Sequence, residues 1–254
     1  MKKALSYTLI FIGLQMVITP LVVFIVPLII GEKASNMNLL ALIGMGLFAV
    51  VTTALFFRCG WTKTSRSFLM SRPWAILFWC VLAAIGIIIP ATAFLELLPE
   101  LPNWIESGMA ELIRLPGSYF VVCILAPLAE EVVFRGAILR ALLAWKPDRE
   151  WGMIAISALL FSAIHMNPAQ MPHAFIVGLL LGWLYSRTGS IVPGVVFHCV
   201  NNTIAYLMTR LYPSEDLRLI DILGSERQVL MAVGFSLLIL LPSLYQLYLS
   251  LRRR

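Results

Sequence analysis

Charge is nearly absent from most of this chain, and that fixes the solvent in which it folds. Apolar runs occupy residues 5–30, 38–57, 73–96, 117–139, 151–166, 172–187, 190–212 and 228–250. About 20 largely apolar residues are enough for a helix to cross a bilayer. In lipid the backbone must satisfy its own polar groups, which leaves helices and closed barrels as spanning structures. The 254 residues are 60% hydrophobic and 13% charged, whereas a soluble domain is about 45–50% apolar and about 25% charged. The expected fold is an all-α integral membrane protein. It has about eight transmembrane helices in one bundle around an intramembrane polar cavity. Residues 1–254 read as one polytopic domain, with no internal repeat or long linker.

The separators carry helix breakers or charge: GEKASN, RCGWTKTSRS, LPELPNWIESG, WKPDRE, NPAQMP, SRTGS and YPSEDLRL. Met1-Lys2-Lys3 followed by an apolar run resembles a signal peptide. The run extends to about Ile30 without an A-x-A site, longer than a signal h-region, so it reads as an uncleaved first helix. With both termini inside, the inner segments hold Lys2, Lys3, Arg58, Lys63, Arg66, Arg72, Arg140, Lys146, Arg149, Arg187 and Arg252–Arg254. The outer ones hold Glu32 with Lys33, then Glu96, Glu100, Glu106 and Glu111 with Arg114, then Glu215, Asp216, Asp221 and Glu226 with Arg210, Arg218 and Arg227. Every inner segment has an excess of bases and no outer one does, the positive-inside pattern. The net charge of +6 is explained by that pattern, so no nucleic-acid partner is expected. The four cysteines show no CxxC spacing.

Two carboxylates remain at membrane depth. Glu130 and Glu131 lie with Arg135 in LAPLAEEVVFRGAILR, residues 125–140. An unpaired charge there costs several kcal/mol or more. Glu131 and Arg135 are i and i+4 on a helix and can pair. Glu130 is rotated about 100° away and is left free, which suits a general base. A trio that only ties helices together is the competing reading of these three charges.

The fifth and sixth runs are too short to cross, so their connection HMNPAQMPH is expected to lie within the membrane, covered by protein or lining a wet cavity. That places His165 near the carboxylates, on one helix face with Phe161. His198 and Asn202 are also i and i+4. A glutamate and a histidine can activate water, and a second histidine and an amide can donate to an oxyanion. The inventory suits amide hydrolysis in a membrane cavity. His173 reads as a cap or loop contact, and Asn201 as a helix-packing polar group.

Glu130-Glu131-Val-Val-Phe-Arg135 resembles the EExxxR motif of the CAAX prenyl protease type II family, also called CPBP or Abi intramembrane proteases. Phe161-Ser-Ala-Ile-His165 is similar to its FxxxH motif, and His198-Cys-Val-Asn-Asn202 to its HxxxN motif. The three occur in the family's order, in a catalytic core over about residues 117–210. The resemblance implies a membrane endopeptidase with Glu130 and His165 activating water and His198 and Asn202 forming the oxyanion hole. Glu131, Arg135 and Phe161 would shape the site.

The family is also described as metalloproteases, and Glu130, His165 and His198 would then be the zinc ligands. The chain has no HExxH, and the Glu131–Arg135 pair and the Asn202 amide favour metal-free catalysis, so no cofactor is expected. The expected partners are the lipid bilayer and a peptide or lipidated protein substrate, in a bacterial cytoplasmic membrane with both termini cytoplasmic. The sequence assigns no oligomeric state. Two further readings stand beside proteolysis: a non-proteolytic bacteriocin-immunity or regulatory scaffold, and a proton-coupled transporter built on the same buried groups.

Overall fold

Each of the eight apolar runs forms a helix. The computed structural model describes residues 1–30, 36–104, 106–212 and 217–252. The long helices are α1 (Lys2–Ile30), α2 (Met37–Arg58), α4 (Trp74–Leu95), α6 (118–145), α7 (Glu150–Ala163), α8 (Met171–Thr188), α9 (Val192–Leu211) and α11 (Glu226–Ser250). Three short helices interrupt separators that the sequence treats as irregular: α3 (Arg66–Met70), α5 (Glu106–Ile113) and α10 (Leu219–Leu223). In α10 the Arg218 backbone N–H donates to the Asp221 carboxylate at 2.8 Å, closing the first turn. Among the described residues there is no strand. The charge assignments at Glu32, Lys33, Glu215, Asp216, Arg253 and Arg254 lie outside the described residues.

Four helices, α1, α2, α4 and α11, are long and apolar enough to cross a membrane. α8 and α9 dilute their apolar residues with His173, His198, Asn201 and Asn202. α7 has 14 residues, or about 21 Å at 1.5 Å per residue, short of the roughly 30 Å hydrocarbon core. It ends at Ala163 rather than at 166, because Met166 takes a left-handed φ of 46° ahead of Pro168. α6 runs on past the expected end at 139 to Trp145, where Lys146-Pro147 stops it. Its Arg140 is satisfied by the carbonyls of Trp61 and Gly60, at 2.6 and 3.3 Å.

α6 is the central element. It packs against α1, α2, α7, α8 and α9. Its Val132–Leu139 stretch is wholly buried, and Phe134, Ile138 and Leu139 join Phe11, Phe56, Ile154 and Phe161 in one apolar core. A second core forms where α4 and α11 pack together and meet α8 and α9, through Ala83, Ala84, Leu181, Phe197, Leu240 and Leu247.

The connector between α7 and α8 is covered, as its polarity requires. Asn167 is fully buried; its side-chain oxygen Oδ1 accepts from the Trp104 backbone N–H at 3.1 Å, and its Nδ2 donates to Asn103 Oδ1 at 2.8 Å. The Ala169 N–H donates to the Pro102 carbonyl at 3.2 Å. Ser162 donates to the Met171 carbonyl at 2.7 Å, closing the turn between the two helices.

Small residues set the distance between helices where no side chain is wanted. A β-carbon at Gly86 of α4 would lie 2.7 Å from the Leu240 backbone nitrogen of α11. Gly86→Val is therefore expected to destabilise the chain by about 1–3 kcal/mol. A lowered thermal midpoint in detergent checks this; an unchanged midpoint would contradict the contact.

Candidate active site

The site is built on the middle of α6. Residues 118–145 form one continuous helix that is π-helical over Val121–Leu125 and Val132–Leu139, with an α-helical segment, Ala126–Glu131, between. Glu130 and Glu131 close that segment. Two widened turns thus bracket the diacid, and such turns gather at functional sites.

Glu131 is fully buried and anchors the arrangement. Arg135, 1% exposed, donates through Nη1 to Glu131 Oε1 at 2.7 Å, the i, i+4 pair that the sequence predicts. His198 of α9 places Nδ1 at 3.2 Å from the same oxygen. Since a carboxylate only accepts, Nδ1 is the protonated nitrogen. Arg135 also donates to the Gly178 carbonyl of α8 at 3.4 Å and lies over the Phe161 ring at 4.3 Å. One charge pair therefore ties α6 to α7, α8 and α9.

α9 approaches so closely that a β-carbon at Gly194 would lie 2.5 Å from Glu131 Oε2. Among the described residues that oxygen has no hydrogen-bond partner. Gly194 is a residue that motif reading misses. Its signal is a lone glycine on a helix that must reach a buried carboxylate.

Glu130 differs from its neighbour. Its side chain is 19% exposed, and its Oε2 lies 3.7 Å from His198 Nε2. The pairing that leaves Glu130 without a guanidinium is thus present, and His198 stands between both carboxylates.

His165 lies just beyond the end of α7. Its Nδ1 is 2.9 Å from the Phe161 carbonyl, one of the acceptors left unpaired at a helix end. Nε2 is then the nitrogen left for chemistry. The Phe161 ring meets His165, His198 and Phe134 edge-on, at centroid distances of 5.1, 5.7 and 5.4 Å.

Asn202 sits one turn beyond His198, and its amide donates to the Val122 carbonyl in the first widened stretch of α6, at 3.2 Å. One N–H is thereby used and the second remains. Asn201 is buried against His173, with Nδ2 at 3.5 Å from Nε2. His173 is thus a contact between α8 and α9.

Among the described residues no group of three or more His, Cys, Asp or Glu side chains is arranged to hold a metal ion. Both histidines turn Nδ1 to a protein acceptor, which leaves Nε2 as the nitrogen free to meet water, substrate or a metal.

The two glutamates should respond differently to substitution. Glu131→Ala strips a buried guanidinium of its partner and is expected to cost about 3–5 kcal/mol. Glu130→Gln keeps shape and touches no direct ion pair with Arg135, so its effect on stability should stay within about 0.5 kcal/mol. Thermal melting of both variants in detergent checks the contrast; equal losses would refute it.

No curated protein and no solved structure matches this chain. A family model does: type II CAAX prenyl endopeptidase Rce1-like, over residues 113–204. The matched segment runs from the end of α5 through α9 and contains Glu130, Glu131, Arg135, Phe161, His165, His198 and Asn202. The resemblance carried by the three motifs is therefore borne out: residues 113–204 match the Rce1-like type II CAAX prenyl endopeptidase model, which supports a protease.

Proposed function

We propose that this protein is an intramembrane endopeptidase that cleaves a peptide bond of a membrane-associated or lipidated peptide, as a CAAX protease does. The observation that carries the reading is the division of labour between the two glutamates. Glu131 is held by Arg135 and His198, which leaves the partly exposed Glu130 facing His198 Nε2.

In this reading Glu130, assisted by His165, takes a proton from water as its oxygen attacks the scissile carbonyl carbon. The tetrahedral oxyanion receives hydrogen bonds from the second Asn202 N–H and from Nε2–H of His198, whose imidazolium form carries that proton into the step and keeps it throughout. The proton held by Glu130 passes to the leaving amine as the C–N bond breaks. Glu131 orients His198 through Nδ1, as a buried carboxylate does in other hydrolytic sites. Catalysis is metal-free.

The bundle in this reading spans the membrane about eight times with both termini in the cytoplasm. The charge asymmetry supports that orientation. The α7–α8 connector is covered and hydrogen-bonded by the 101–104 segment, which supports a site inside the bilayer.

Purified full-length chain in detergent should cleave a quenched fluorescent prenylated CAAX peptide. Glu130→Gln should lower kcat by at least about a thousandfold, as loss of a general base together with its positioned water does. Comparison of membrane peptides in cells carrying wild type or Glu130→Gln would identify the natural substrate. A biological effect that survives Glu130→Gln at normal protein level would favour the scaffold reading. A second expected outcome is full activity after treatment with a zinc chelator. Stoichiometric zinc lost together with activity would overturn metal-free catalysis.

A further inference from the structure

We infer that Thr62 and Ser157 are positioning residues of this reaction, whose hydroxyls hold open the widened turn after Glu131 and so fix where Arg135 meets it. The inference rests on the proteolytic reading above and extends it to residues outside the three motifs.

An α-helix satisfies each carbonyl with the N–H four residues on, and a π-helix with the N–H five residues on. Where an α-helix passes into a π-helix the ladder skips one N–H while each carbonyl keeps a donor, and the second lone pair of a carbonyl in the widened stretch is open to a hydroxyl from outside. α6 makes that passage at Val132, directly after the diacid. Two hydroxyls from other elements donate to carbonyls of the widened stretch. Thr62 Oγ1, in the connector after α2, donates to the Val132 carbonyl at 2.7 Å. Ser157 Oγ, on α7, donates to the Phe134 carbonyl at 3.1 Å. Both side chains are buried, Thr62 at 3% and Ser157 at 2% exposure. Water is therefore a poor substitute donor.

The Thr62 contact is shaped on both sides. A β-carbon at Gly136 would collide with the Thr62 side chain, so only glycine admits the hydroxyl this close to the helix. One turn later Arg140 grips the same connector through the Gly60 and Trp61 carbonyls. The connector is thus fastened along the outside of the widened stretch.

Arg135 lies inside that stretch. A slip of one residue rotates a helical side chain by about 100°. Such a slip would take the guanidinium off Glu131 Oε1, the Gly178 carbonyl and the Phe161 ring together. Glu131 also holds His198, so the disturbance reaches the reacting groups through it. Thr62 and Ser157 themselves bond only backbone, which makes the effect one of position.

The test uses the full-length chain and the prenylated CAAX peptide. Thr62→Val keeps shape and removes the donor. It should lower kcat roughly ten- to a hundredfold, the size of effect that follows from slightly misplaced catalytic groups. KM should stay at the wild-type value, the chain should stay folded with a modestly lowered thermal midpoint, and Thr62→Ser should restore kcat. Ser157→Ala should show the same pattern. Hydrogen exchange of the same variants should accelerate within 132–139 and not elsewhere in α6. Wild-type kcat in Thr62→Val, with Glu130→Gln inactive, overturns this inference and leaves the proteolytic reading standing. Unchanged exchange within 132–139 overturns it whatever the kinetics, as does failure of Thr62→Ser to rescue. A wild-type chain that does not cleave the peptide, or an active Glu130→Gln, sinks the proteolytic reading and this inference with it.

Discussion

A single buried carboxylate organises this protein. Glu131 has no exposure, and its Oε1 meets both Arg135 and His198. Removing such a charge from water costs several kcal/mol, which only well-placed partners offset. The partners come from two helices, and Arg135 reaches a third and a fourth through Gly178 and Phe161. The centre of the bundle is therefore fixed by charge, and the apolar cores around Phe134 and Leu181 pack about it. The same arrangement frees Glu130. In the proposed proteolysis, stability and chemistry would fall to adjacent residues, divided by which of the two faces Arg135.

α6 reconciles two demands. It must be straight and apolar enough to run through the middle of the bundle, and it must present polar groups at one depth. Its two widened stretches lie on either side of that depth. In each, a side chain from elsewhere donates to the backbone: Asn202 to Val122, and Thr62 and Ser157 to Val132 and Phe134. Irregular backbone away from water is tolerated where protein supplies the missing partners. The neighbours of α6 are thus selected partly for their donors as well as for their shape.

Much of this could be read from the chain alone, because it follows from local spacing. Eight helices follow from eight apolar runs, the Glu131–Arg135 pair from i, i+4, and the shared orientation of His198 and Asn202 from the same rule. What could not be read depends on long-range contact. Thr62 sits in a separator that looks like any polar loop, 70 residues from the carbonyl that it meets. The bond of Asn167 to Asn103 joins two loops with no periodicity in either. The widened turns leave no trace in composition, since the same residues suit a regular helix. The apolar run that holds His165 predicts a helix to residue 166, but the helix ends at Ala163, and Met166 turns the backbone left-handed.

Phe161 shows how a family motif can be a mechanical unit. Its ring touches His165 and His198 edge-on while Arg135 lies against its face. Its carbonyl holds the Nδ1 of His165. The side chain and the backbone of one residue thus set the tilt of one imidazole and bear on a second. An aromatic ring takes no part in proton transfer, yet here it works as a common fulcrum. Shrinking it would let both histidines turn at once, and the loss would register as a chemical defect although no reacting atom had been removed.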